Sequence, residues 1–142
     1  MFAVMILALS IGTAANAESG DSPSFAYLLH CAGCHLENGA GDPPDIPDLR
    51  EELGLLLTVP EGRHYALRVP GVTDAQVSDE QMAALMTWLV NRLYPEKEGF
   101  EPFTAAEVIA GRENRLSDPV RYRNELLIEL TGTAEQPKGA VD

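Results

Sequence analysis

The sequence predicts an all-α fold, and three observations carry that prediction. No segment alternates polar and apolar residues with the period of two that a half-buried strand requires. Between residues 79 and 93 apolar side chains recur at spacings of three and four, the period of an amphipathic helix. Two capping boxes, Ser78 to Gln81 and Thr104 to Glu107, each stand directly ahead of a helical pattern. The 142 residues suffice for one compact domain, and no internal repeat divides them.

The elements follow in order. Ser22 is an N-cap candidate with Pro23 at the first helical position, which predicts a helix over 23–33 through Phe25, Tyr27, Leu28 and Leu29. Residues 36–49, LENGAGDPPDIPDL, carry Gly39, Gly41, Pro43, Pro44 and Pro47 and read as a loop. Leu49, Leu53, Leu56 and Leu57 predict a helix over 48–57. Pro60 opens another through EGRHYALRV, which Pro70-Gly71 stops, and Val72 to Val77 reads as a second loop. The longest helix covers 79–93, with Met82, Leu85, Met86, Leu89 and Leu93 on its stripe, and Pro95 ends it. Thr104 starts a short helix, and Ser117-Asp118-Pro119 starts a last one reaching about Leu130. Phe100, Phe103, Val108 and Ile109 predict that this C-terminal part packs on the rest. Residues 131–142 are polar with Gly and Pro and read as a disordered tail.

The chemistry is concentrated in Cys31-Ala32-Gly33-Cys34-His35. C-x-x-C-H is the attachment site of a c-type haem. Two thiols a few residues apart add across the two vinyl groups of one porphyrin, and the imidazole after the second binds iron as the proximal ligand. A zinc site would need a second pair of ligands, and Cys31 and Cys34 are the only cysteines. A thioredoxin-like redox pair would sit in a βαβ pattern, which is missing here. The motif therefore predicts one covalent haem c with its iron, held through Cys31 and Cys34 and ligated by His35.

Residues 1–17, MFAVMILALSIGTAANA, read as a secretory signal peptide. The apolar run from Phe2 to Ile11 is too short to span a bilayer, and Ala15-Asn16-Ala17 fits the small-x-small cleavage pattern, although no Lys or Arg precedes the run. Export to the periplasm agrees with haem attachment, which bacteria perform outside the cytoplasm, and no transmembrane anchor is expected after cleavage. The formal net charge is −12, from 22 acidic and 10 basic side chains, none of them in residues 1–17. Such a chain is not drawn to nucleic acid or to an anionic membrane surface. The charge suits either solubility or steering toward a redox partner with a basic docking patch.

Over about residues 22–94 this layout resembles class I cytochrome c. The resemblance implies that the 23–33 helix crosses the 79–93 helix over the haem, and that Trp88 is a packing aromatic. It divides the chain into a signal peptide (1–17), a cytochrome c domain (18–95), a helical C-terminal extension (96–130) and the tail. In the family a G-P-x-L segment follows the proximal histidine. Its proline carbonyl accepts the imidazole Nδ1–H and its leucine packs on the haem. Ile46-Pro47-Asp48-Leu49 matches it, with Pro47 twelve and Leu49 fourteen residues after His35, and the glycines of the ENGAG segment match the family's loop. The departure is at the distal ligand. The family has methionine before a proline there, and this chain has Arg68-Val69-Pro70-Gly71, with a valine that cannot ligate iron. Met82 and Met86 fall on the apolar stripe and read as core. His30 precedes the motif on its own helix and is badly placed for the other haem face. His64, on the helix before the Val-Pro-Gly segment, is the distal candidate, beside an open site and a methionine from the helix. Arg50, Arg63 and above all Arg68 are the candidates for meeting the haem propionates.

The resemblance implies transfer of single electrons between redox partners outside the cytoplasm. The missing methionine keeps a second class open, a haem protein whose vacant iron position binds a small gas or peroxide. A third reading is a haem subunit of a larger oxidoreductase. No Ser-His-Asp set, catalytic carboxylate pair or phosphate-binding loop argues for an enzyme that works through its side chains.

Overall fold

The computed structural model describes residues 22–132. The signal-peptide reading of 1–17 and nearly all of the predicted tail lie outside the described residues. Those that are described form helices α1 (Pro23–His30), α2 (Ala32–His35), α3 (Glu52–Leu56), α4 (Pro60–Ala66), α5 (Pro70–Thr73), α6 (Asp79–Leu93), α7 (Ala105–Glu113) and α8 (Pro119–Thr131). Among them extended pairing is limited to an isolated bridge between Asp42 and Ile46. No helix among the described residues is long and apolar enough to cross a membrane.

Capping decides where the long helices begin. The Ser22 hydroxyl accepts from the Phe25 amide at 3.2 Å. At α6 both halves of the capping box are formed: Ser78 accepts from the Gln81 amide, and the Gln81 side chain accepts from the Ser78 amide at 3.0 Å. Thr104 and Glu107 repeat the device at α7, and the Asp118 carboxylate caps α8 through the Arg121 amide. Each cap satisfies amides that the first turn leaves unpaired, worth about 1 kcal/mol apiece.

The structure departs from the predicted elements in four places. The 23–33 helix breaks at Cys31, whose φ of −124° and ψ of −37° lie outside helical values. The Cys31 amide closes α1 on the Tyr27 carbonyl, and the Cys31 carbonyl then starts a new turn by accepting from His35 at 2.9 Å. The motif thus sits on a turn of its own. The helix expected to run to Pro70 ends already at Ala66, and Pro70 instead starts another, because its fixed φ suits the first position of α5. The 48–57 helix is regular only over α3, since the Asp48 carboxylate takes the Arg50 amide and turns the chain first. Ile109, predicted to pack, is exposed, whereas Phe103 and Val108 are buried.

Helix α1 packs against α6, with the Tyr27 ring 5.7 Å from that of Trp88. Met82, Leu85 and Val90 of α6 and Val108 of α7 are fully buried in one core with Leu67. Leu56, Tyr65, Leu116 and Leu126 form a second cluster under α8. The C-terminal helices are therefore built into the molecule. A Cβ on Gly111 of α7 would lie 2.4 Å from the Leu67 carbonyl oxygen, so only glycine permits this approach of α7 to the end of α4. Arg63 pairs with Glu107 at 2.6 Å and Arg112 with Asp79 at 2.6 Å, pinning α7 at both ends.

Candidate functional site

A cavity of about 340 Å³ opens beside the Cys31–His35 turn. Cys31, Cys34 and His35 form one side of its lining, with Pro47 and Leu49 from the following loop. Leu53 and Leu56 of α3, Val72 of α5, and Met86 and Leu89 of α6 make it apolar. The break at Cys31 leaves its sulfur half-buried and that of Cys34 exposed. Burial, and then the neighbouring Cys34, push the Cys31 thiol up to about 11, so before haem is attached it is the neutral thiol.

His35 is held from behind. Its Nδ1 lies 3.1 Å from the Pro47 carbonyl oxygen. A carbonyl only accepts, so Nδ1 carries the proton and the lone pair is left on Nε2. Burial lowers the imidazole pKa; the Pro47 hydrogen bond and the Asp48 charge oppose that shift. The Pro47 loop is itself fixed. A Cβ on Gly41 would lie 2.2 Å from the Ile46 oxygen and 2.4 Å from the Pro47 oxygen, so this close packing requires glycine. The Leu49 amide bonds the Gly39 carbonyl at 2.9 Å, and the Tyr94 hydroxyl at the end of α6 donates to the Leu49 carbonyl. Leu36, with φ 53° and ψ 173°, ends the motif turn in a backbone region that costs a non-glycine residue about 1–3 kcal/mol. The Tyr27 hydroxyl holds it there by donating to its carbonyl at 2.7 Å.

The structure does not bring His64 to the cavity. Helix α4 turns Gly62, Tyr65 and Ala66 inward, which leaves His64 exposed on the outer face. Arg68 does not line the cavity either. Its Nε donates to the Asn114 carbonyl at 2.6 Å and its guanidinium lies over the Tyr122 ring. Arg50 pairs with Asp48, and Arg63 is engaged by Glu107 and the carbonyls of Glu101 and Pro102. The arginine that lines the cavity is Arg123 of α8, 3% exposed, which pairs with Glu52 at 3.1 Å and donates to the Pro44 carbonyl. Tyr65 lines it too and is buried beside the Arg123 charge. Sequence reasoning missed both. A signal was present for Arg123, a charge within the apolar stripe of Val120, Leu126 and Leu127 at spacings of three and four.

This donor set fits a haem. Two thiols and an imidazole of fixed tautomer stand at one side of an apolar slot, and a buried guanidinium with only donors is available to a carboxylate. An all-α chain built on such a slot is a c-type cytochrome in fold and in site.

The comparisons agree. The chain is 31% identical over 129 residues to a cytochrome c-552 of Thermus thermophilus, covering 77% of this chain and 85% of that protein. A second cytochrome c-552 from Thermus thermophilus is 33% identical over 107 residues, covering 61% of this chain and 82% of that protein. No family model matches the chain. The chain belongs to the monohaem c-type cytochromes and carries a covalently bound haem c with its iron. The all-α fold expected from the helical pattern, in the cytochrome c arrangement that the resemblance implied, is the fold it has.

Proposed function

We propose that this protein is an exported electron carrier that passes single electrons between redox proteins in the periplasm. The haem supplies the one-electron chemistry. Cys31 and Cys34 hold it by thioethers, His35 binds the iron, and Leu49 packs on the macrocycle. The Pro47 carbonyl orients the imidazole and raises its basicity. The observation that carries this reading is the 3.1 Å contact between His35 Nδ1 and the Pro47 oxygen at the mouth of an apolar cavity reached by both thiols. Arg123 takes the place expected for Arg68: a propionate entering the apolar slot needs a cation, and Arg123 is the arginine in its wall. On this reading the described part of the 18–95 domain, from residue 22 on, and the extension 96–130 fold as one unit, since α7 and α8 share core residues with α4 and α6.

Partner docking has two supports. The charge of −12 favours a partner presenting a basic patch. Phe25, Leu28 and Leu29 on α1 and Leu36 beyond the motif are exposed near Cys34, an apolar rim at the edge where the haem is attached. The test is made on exported protein. Mass spectrometry should find one haem retained after acid extraction, and Cys34→Ser should lose one thioether. Reduction by a basic redox protein should slow as salt rises. Free thiols without haem would overturn the reading, and a rate independent of salt would overturn the charge-steered partner.

A further inference from the structure

The cavity wall carries an ion pair as well as apolar side chains. Glu52 of α3 and Arg123 of α8 both line it and pair at 3.1 Å. The two ends of the pair differ in access to water. The Arg123 side chain is 4% exposed and that of Glu52 27%. The guanidinium is sealed in, whereas the carboxylate has the cavity on one side and solvent on the other. Arg123 is also shared. It donates to the Pro44 carbonyl and, on the reading above, meets a haem propionate. One guanidinium then serves two carboxylates at an apolar site, and like charges in one site favour protonation of one of them. An electron arriving at the iron removes a positive charge from the same low-dielectric surroundings and favours that proton further.

The other titratable groups around α3 do not offset this. Tyr65 of α4 lies near both charges, and burial pushes its phenol pKa up, so it stays neutral. Asp45 and His30 line the cavity elsewhere. Asp48 and Glu51 add negative charge on the Tyr94 side of α3, where Asp48 is engaged by Arg50. Lys97 is held at the Gly54 carbonyl, and Arg121 of α8 pairs with Glu125 in solvent.

We propose that Glu52 is a proton-binding site coupled to the haem, so that the protein takes up a proton with each electron and releases it on oxidation. The inference rests on the haem-carrying reading above. The redox partner supplies the electron, which reduces ferric iron to ferrous. Solvent supplies the proton, which converts the Glu52 carboxylate to the neutral carboxyl, and reoxidation returns both. Of the pair only Glu52 can titrate, since a guanidinium stays protonated. Arg123 sets the balance by dividing its charge between Glu52 and the propionate.

Holoprotein, with covalent haem verified by mass, is titrated potentiometrically across about pH 5 to 8, above the ordinary carboxyl range. The wild-type potential should fall as the pH rises, by as much as about 59 mV for each tenfold fall in proton concentration, the limit for one proton with one electron. Glu52→Gln should keep its haem and lose the slope, whereas Asp45→Asn and His30→Gln should keep it. The reduced-minus-oxidised infrared difference spectrum should gain a carboxyl C=O band that shifts in D2O, moves in Glu52→Asp and is missing in Glu52→Gln. If Glu52→Gln does not mature, Glu52→Asp carries the test through that band. A wild-type potential independent of pH would overturn the proposal. So would the wild-type slope in Glu52→Gln, a slope that disappears with Asp45 or His30, or a band unmoved by Glu52→Asp. A chain without covalent haem would instead overturn the attachment reading.

Discussion

The two walls of the haem cavity are built in different ways. The wall with His35 is local. Motif, loop and backing carbonyl lie within residues 31–49, and close chain neighbours hold them: Gly41 packs under Pro47, and the Gly39 carbonyl takes the Leu49 amide. The wall from Tyr65 to Val72 has no such support of its own. Its polar groups are organised by α8, more than fifty residues further on, through Tyr122 and Arg123. A short motif can specify the attachment of a cofactor, whereas the opposite wall depends on which distant segment packs over it. This explains how a chain can keep the C-x-x-C-H motif and the proline loop and still depart from its family at the distal ligand.

The comparison breaks most severely at Arg123. Arg123→Ala removes a buried guanidinium that pairs with Glu52 and bonds the Pro44 carbonyl, together with the packing of its stem, which should cost about 3–5 kcal/mol. Urea unfolding of the holoprotein measures it. A loss below about 1 kcal/mol would mean that α8 stands on its apolar contacts alone.

Gly41→Ala tests the other wall. The added methyl meets the Ile46 and Pro47 carbonyl oxygens, so the loop must shift and the His35 bond must lengthen, for a loss of about 2–3 kcal/mol. A weaker bond leaves the imidazole less basic, so potentiometric titration should find the haem's reduction potential raised. A variant with the wild-type potential would show that the Pro47 carbonyl does not set the state of the imidazole.

The smallest expected effect is in acid. The Arg63 guanidinium holds the Glu107 carboxyl at about 2, well below its ordinary value of 4.5. The folded state therefore binds this proton less readily than the unfolded chain. Its stabilisation is complete above pH 4.5 and is lost as the pH falls toward 2, by about 1–2 kcal/mol after allowance for its partial exposure. Thermal unfolding of wild type and Glu107→Gln across that range should converge at low pH, and parallel curves would remove Glu107 from the account.

Much of this molecule was legible in the sequence because its signals are local. Ser78 and Gln81, Thr104 and Glu107, and the three-and-four spacing of α6 act within one or two turns of chain, and the helices begin where they indicate. The spacing of His35 and Pro47 was likewise readable, since both lie on one short loop. The break at Cys31 was not, because it depends on how α1 leaves α6 and on the Tyr27 hydroxyl capturing the Leu36 carbonyl. The cation of the cavity was not legible either. Arg50, Arg63 and Arg68 are near the pocket in sequence, yet each finds a carboxylate or carbonyl elsewhere. Arg123 reaches it only because α8 folds back over α3 and α4. By itself the sequence determined the helices, the thiols, the imidazole and the absence of a methionine at residue 69. Only the tertiary structure decided that Tyr65 and Arg123, not His64 and Arg68, line the cavity. A side chain's orientation on a short helix depends on which of its faces the rest of the chain covers.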